Sequence, residues 1–192
     1  MASYNSNRGN DYHLKSLGFQ NRQSLEIISM DNVRFANDRV ITKPDWVIKC
    51  SEKKLIHILD YKNRNSGSGP SMREMWQLLC YSWVVPEFMS WVDESNVILP
   101  TCCGILFGDG QRYNVQFTDE DLFRLQESVV PAIKAYRAKG LLRDNQKISA
   151  TFLANYMVDS TLSTPFTSTE SARRAGTKAH ESMVNPASGI LH

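Results

Sequence analysis

The chain has 192 residues, 42% of them apolar and 22% charged, with a net charge of +2. That length fits one domain with a substantial core, and the composition excludes a disordered chain, a collagen-like repeat and a disulfide miniprotein. The net charge is too small to announce a nucleic-acid binder by bulk electrostatics, so any basic surface must be local.

Residues 1–12 are rich in Asn, Ser, Gly and Asp and are expected to form a mobile arm, with a domain over 13–158 and a mobile tail over 159–192. The start MASYNSNRGNDYHLK has no apolar stretch after a basic one, and no run approaches the roughly eighteen apolar residues of a membrane span. The expectation is a soluble, cytoplasmic protein with no membrane partner. Residues 21–30, NRQSLEIISM, carry Leu25 and Ile28 at helical spacing, which predicts a helix, beginning as early as His13, with Glu26 on it. Val33–Phe35 and Val40–Thr42 flank the turn-prone Asn37-Asp38-Arg39, a short hairpin arm leading into the strand PDWVIKC at 44–50. LIHILDYK at 55–62 is apolar on both faces and should be central in a sheet.

Composition then breaks at NRNSGSGPS, residues 63–71, a flexible connection. MREMWQLLCYSWVV at 72–85 has helical spacing and is expected to stop before Pro86. Two apolar runs around Gly108-Asp109-Gly110 predict a hairpin over 102–118. Thr118 caps a following helix whose first turn is acidic and which ends near Gly140, with Pro131 as a kink. A last short helix is expected over 149–158, and residues 159–171 hold eight Ser or Thr in thirteen positions. Cys50, Cys80, Cys102 and Cys103 lack CxxC spacing and sit in apolar runs, which favours buried reduced thiols over zinc ligands. Trp76, Trp83, Trp91 and Phe88 read as core packing rather than base stacking, and His57 as a hydrogen-bonded structural residue.

The chemistry-bearing block is Pro44-Asp45, with Asp60-Tyr61-Lys62 fifteen positions later. Residues two apart on a strand share a face, so Asp60 and Lys62 project together, and a hairpin connection can bring Asp45 beside them. Two carboxylates and an ammonium suit phosphodiester hydrolysis: the oxygens hold Mg²⁺ or Mn²⁺, the metal activates water and polarises the phosphate, and the Lys serves the nucleophile. The plainer alternative places Asp60 and Lys62 at a solvated strand end and Asp45 in a turn.

The order strand-PD, strand-DxK, helix resembles the PD-(D/E)XK nuclease superfamily, whose restriction-endonuclease-like αβββαβ core, a central mixed α/β sheet flanked by helices, corresponds to residues 14–118, with a C-terminal helix and tail beyond. Gln77 and Tyr81, four apart on one helix face, resemble the QxxxY motif of the RecB-type branch. By that resemblance Asp45, Asp60 and the Tyr61 carbonyl bind metal, Lys62 serves the water, and Gln77 and Tyr81 position the Lys or a DNA phosphate. Glu26 is the candidate acid on the first helix, with Asp31 and His13 as competitors. Some relatives hold an iron–sulfur cluster with one early cysteine and a group of late ones, and nothing after Tyr81 follows that arrangement, so no cluster is expected.

Local charge agrees with a nucleic-acid partner, DNA favoured. From Arg39 to Arg64 seven basic residues face three acids, and from Lys134 to Lys147 five face one. Lys43, Lys49, Arg64 and Arg73 are the candidate phosphate contacts. A small nuclease with few base-reading elements could work as a homodimer or in a larger complex. Two other readings stand beside a metal-dependent deoxyribonuclease. One is a non-catalytic nucleic-acid or protein binding module on the same fold. The other is an RNA endonuclease resembling viral cap-snatching domains, which would need His13.

Overall fold

The computed structural model describes residues 25–30, 33–50, 55–90 and 101–160. They form a mixed α/β fold with two sheets flanked by helices. In chain order come β1 (Leu25–Met30), β2 (Phe35–Ala36), β3 (Val40–Thr42), β4 (Trp46–Cys50), β5 (Leu55–Lys62), α1 (Met72–Ser90), β6 (Thr101–Phe107), β7 (Arg112–Val115), α2 (Asp119–Ala138), β8 (Ile148–Ser149) and α3 (Ala150–Ser160). The larger sheet has the order β1-β4-β5-β6-β7, and the smaller one β2-β3-β8.

β5 is the central strand of the larger sheet. It runs antiparallel to β4 and parallel to β6, with α1 between β5 and β6 in the chain. Alternation puts Ile56, Ile58, Asp60 and Lys62 on one face. On that face Ile56, Ile58, Val47, Cys103, Ile105 and Phe107 pack with Met75, Trp76 and Leu79 of α1 in the main core. The other face is buried too, through Ile48, Leu59, Leu106 and His57. A strand covered on both sides reads as a continuous apolar run, and this makes β5 recognisable in the sequence.

Residues 25–30 are a strand, not the end of a helix. β1 lies antiparallel to β4, with Leu25 opposite Cys50 and Met30 opposite Trp46, and a register shift between Ile27 and Ser29. Pairing along β4 overrides a spacing that is compatible with a helix, and β-branched Ile27 and Ile28 favour the extended form. The rest of that predicted helix, with His13, Asp31, the N-terminal arm and Trp91, lies outside the described residues, as does the tail beyond Ser160.

The second correction is Pro86, which α1 runs through. Proline leaves the Ser82 carbonyl without its helical donor, yet Val84, Val85 and Pro86 are all buried. A Trp83 Nε1 to Glu87 Oε1 hydrogen bond of 2.6 Å spans the site. Packing of this last turn outweighs the local penalty. Phe88 meets Phe35 edge-on, ring centroids 5.3 Å apart, and ties α1 to the smaller sheet.

The hairpin β6–β7 turns at Gly108-Asp109-Gly110, where Gly110 has φ 81°. Thr118 caps α2 through a reciprocal box: its hydroxyl accepts from Asp121 N at 3.1 Å, and the Asp121 carboxylate accepts from Thr118 N at 3.2 Å. α2 ends at Lys139 and Gly140, where φ is 70°. The two-residue β8, parallel to β3, has no counterpart in the hydropathy pattern; it delivers the chain to α3, whose Phe152 ring stacks on Tyr136 at 4.7 Å. Cys80 and Cys103 are buried free thiols and Cys102 is half-buried. No helix among the described residues is long and apolar enough to cross a membrane.

Candidate active site

The antiparallel register of β4 and β5 sets Trp46 opposite Leu59, so one step further Asp45 stands opposite Asp60. Directly opposed residues share a face. The Asp45 carboxylate closes this end of the pair by accepting a 2.7 Å hydrogen bond from the Tyr61 backbone N–H. Asp60 is 3% exposed, and Lys62 reaches back along the same face to place its Nζ 2.7 Å from Asp60 Oδ2.

Electrostatics follow from that placement. Burial pushes the Asp60 carboxyl up to about 7, the Lys62 ammonium pulls it down, and the Asp45 carboxylate, within hydrogen-bonding reach, pushes it up again. Two acids abut here, and the Lys62 ammonium paired with Asp60 does not fully offset the cost of burying its charge.

α1 lies over this face and presents Gln77 and Tyr81. Gln77 Nε2 donates to Tyr81 Oη at 2.6 Å. Burial, then the Asp60 and Asp45 carboxylates, push the Tyr81 hydroxyl well above its ordinary range. Because that oxygen accepts from Gln77, its own proton is left for a group on the acid side. Thr151, in the first turn of α3, also meets Gln77, with Nε2 to Oγ1 at 3.4 Å. No sequence signal points to Thr151, since its approach depends on β8.

The structure therefore gathers Asp45, Asp60, Lys62, Gln77 and Tyr81. Tyr61 takes part through its backbone N–H, while its side chain is 40% exposed. Glu26 stands elsewhere. Its backbone is opposite Lys49, four positions along β4 from Asp45, which is about 13 Å at strand rise. Lys49 shares that distance. Lys43 and Arg73 are exposed.

Arg64 is engaged within the protein. Its Nη2 lies 2.6 Å from Glu74 Oε2 and 3.1 Å from the Gly69 carbonyl, and its guanidinium sits 4.7 Å above the Phe107 ring. Glu74 also closes the start of α1, accepting from Ser71 N at 2.7 Å while Ser71 Oγ accepts from Glu74 N at 3.3 Å. The connection 63–71, expected to be flexible, is held in place. Ser71-x-x-Glu74 is a capping-box sequence that could have signalled this.

Among the described residues no group of three or more His, Cys, Asp or Glu side chains gathers to hold a metal. Among the described residues, Asp45 and Asp60 are the acids at the site. That donor set fits Mg²⁺ or Mn²⁺, because a small hard cation commonly takes one or two carboxylates and keeps several waters. No family model, curated protein or solved structure matches the chain.

Proposed function

We propose that the chain is a Mg²⁺- or Mn²⁺-dependent nuclease of the PD-(D/E)XK type, hydrolysing phosphodiester bonds, with DNA as the favoured substrate. The observation that carries this reading is the convergence of Asp45, Asp60 and Lys62 at the end of the central strand, with Gln77 and Tyr81 set over them by α1. A central mixed sheet with a strand-helix-strand crossover supports the restriction-endonuclease-like fold.

In this reading Asp45 and Asp60 hold the metal. The bound ion would polarise the phosphate and lower the pKa of a water. Lys62, one quarter exposed and anchored on Asp60 as an ammonium, donates to the nucleophilic water and orients it. The Gln77–Tyr81 pair offers a hydroxyl proton to a phosphate oxygen or to the acids. Exposed Lys43, just before Asp45, and Arg73, at the start of α1, supply backbone-phosphate contacts that carry no sequence information. Arg64 is assigned away from this role by its ion pair with Glu74.

The test is incubation of the whole chain with circular and linear duplex DNA, single-stranded DNA and RNA, in Mg²⁺, Mn²⁺ or EDTA. Cleavage that vanishes in EDTA and falls at least a hundredfold in Tyr81→Phe plus Gln77→Ala is the expected result; about 1.4 kcal/mol of lost transition-state stabilisation corresponds to each factor of ten. Loss of RNA alone would move the assignment to a ribonuclease. Binding without any metal-dependent loss of substrate would overturn the enzyme and leave a binding module.

A further inference from the structure

We infer that Ser66, Asp109, Arg64 and Glu74 are positioning residues for Lys62: together they form a clasp that fixes the end of β5 so that the Lys62 ammonium is held on Asp60. The inference rests on the reading of Lys62 as a catalytic group.

Lys62 is the last residue of β5, and a strand end is where a backbone is least constrained. Here its carbonyl is held from both sides. Arg64 N donates to it at 2.7 Å and Gly108 N at 2.9 Å, and Gly108 N also reaches the Arg64 carbonyl at 3.0 Å. Gly108 belongs to the turn of the β6–β7 hairpin, so the hairpin tip and the strand end are fastened together. A Cβ on Gly108 would make ordinary van der Waals contact, 3.5 Å from Arg64 N and from Tyr61 Oη, so the turn backbone lies directly against this segment.

Two side-chain links close the clasp. At the hairpin tip, Asp109 Oδ2 accepts from Ser66 N at 2.8 Å and from Ser66 Oγ at 2.7 Å, while Asp109 Oδ1 accepts from Gln111 N at 3.2 Å. On the other side, Arg64 is tied to Glu74 and to the Gly69 carbonyl, and lies over Phe107. Phe107 is the β6 residue paired with Lys62. None of these groups reaches the acid pair, so their influence passes through the Lys62 backbone. A carbonyl held on both sides leaves the lysine stem only its side-chain torsions, which directs the ammonium to Asp60 at 2.7 Å. Displacement of a catalytic group by about 1 Å can cost on the order of a hundredfold in rate, so loosening this strand end should show in turnover.

The experiment compares Asp109→Ala, Asp109→Asn and Glu74→Gln with the unmodified full chain. It measures kcat and KM for metal-dependent DNA cleavage, melting temperature, and amide hydrogen exchange at Arg64 and Gly108. Asp109→Ala is expected to lower kcat about tenfold with KM changed less than about twofold. The Arg64 and Gly108 amides should exchange at least about tenfold faster, because they lose the links that keep them on the Lys62 carbonyl. Asp109→Asn should restore most of the rate, since its amide oxygen still accepts from Ser66. Glu74→Gln should lower kcat in the same way. Faster amide exchange with unchanged kcat would overturn the inference, as would equal losses in the alanine and asparagine variants that track a fall in melting temperature. Failure of the unmodified protein to cut any substrate would defeat the nuclease reading and the catalytic role of the clasp with it; the exchange data would then say separately whether the clasp holds the strand end.

Discussion

Asp60→Asn is expected to have two effects of opposite sign: cleavage falls about a thousandfold or more, and the metal-free protein becomes more stable at about pH 8. The first follows, on the proposed nuclease reading, from removing one of the two carboxylates assigned to the metal, because a bound metal contributes several kcal/mol to the transition state. The second follows from linkage. The Asp60 carboxyl is raised from 3.8 to about 7 in the folded chain, chiefly by burial. Stability tied to a raised carboxyl is fully present below the unfolded value and is lost as pH rises through the folded one. The unmodified protein therefore loses stability across this window, by an amount on the order of a few kcal/mol. Asparagine cannot ionise and escapes the loss. Denaturant melts of both proteins at several pH values, in EDTA, should give difference curves that separate between pH 4 and pH 7, roughly the interval bounded by the two pKa values. Parallel curves would show that Asp60 is not a buried, reluctant acid.

Lys62→Ala should do the reverse to stability while also stopping cleavage. It removes the ammonium that sits 2.7 Å from Asp60 and leaves two neighbouring carboxylates without it. Removing one partner of a buried pair typically costs roughly 3–5 kcal/mol, and the partial exposure of Lys62 places this case nearer 2–3 kcal/mol. The cost should be largest at about pH 8 and shrink toward about pH 5, where Asp60 can take a proton instead. Added Mn²⁺ should recover part of the stability without recovering cleavage, which isolates the role of the lysine in handling water from its role in neutralising charge. Equal stability of Lys62→Ala and the parent protein at both pH values would contradict the pairing seen here.

Local rules govern what is legible in the sequence. β5 is apolar on both faces because it is buried on both, and the two-residue period of a strand by itself puts Asp60 and Lys62 on one face. Gly108-Asp109-Gly110 and Thr118 carry their own turn and cap chemistry, and the four-residue spacing of Gln77 and Tyr81 belongs to one helix face. The failures lie where tertiary pairing decides. In LEIISM a bulge between Ile27 and Ser29 interrupts the alternation that would mark a strand, so helical spacing is the only period visible. That changes the position of Glu26, which the register sets beside Lys49 instead of the acid pair. β8 is two residues long and exists only through its pairing to β3, and Pro86 is carried by burial of the last turn of α1. Arg64 resembles a phosphate contact because charge can be read from sequence while its partner, Glu74, ten positions away, cannot.

The nuclease proposal stands on Asp45 and Asp60 together holding the divalent cation that cleavage requires. Its most direct test is titration of Mn²⁺ into the whole chain at about pH 8, above the raised Asp60 value of about 7, with free Mn²⁺ followed by electron paramagnetic resonance, alongside Asp45→Asn and Asp60→Asn. Saturable Mn²⁺ binding that is competed by Mg²⁺ and weakened at least about tenfold by either substitution is the predicted result. Binding that survives both substitutions, or no binding by the folded parent protein, would contradict it.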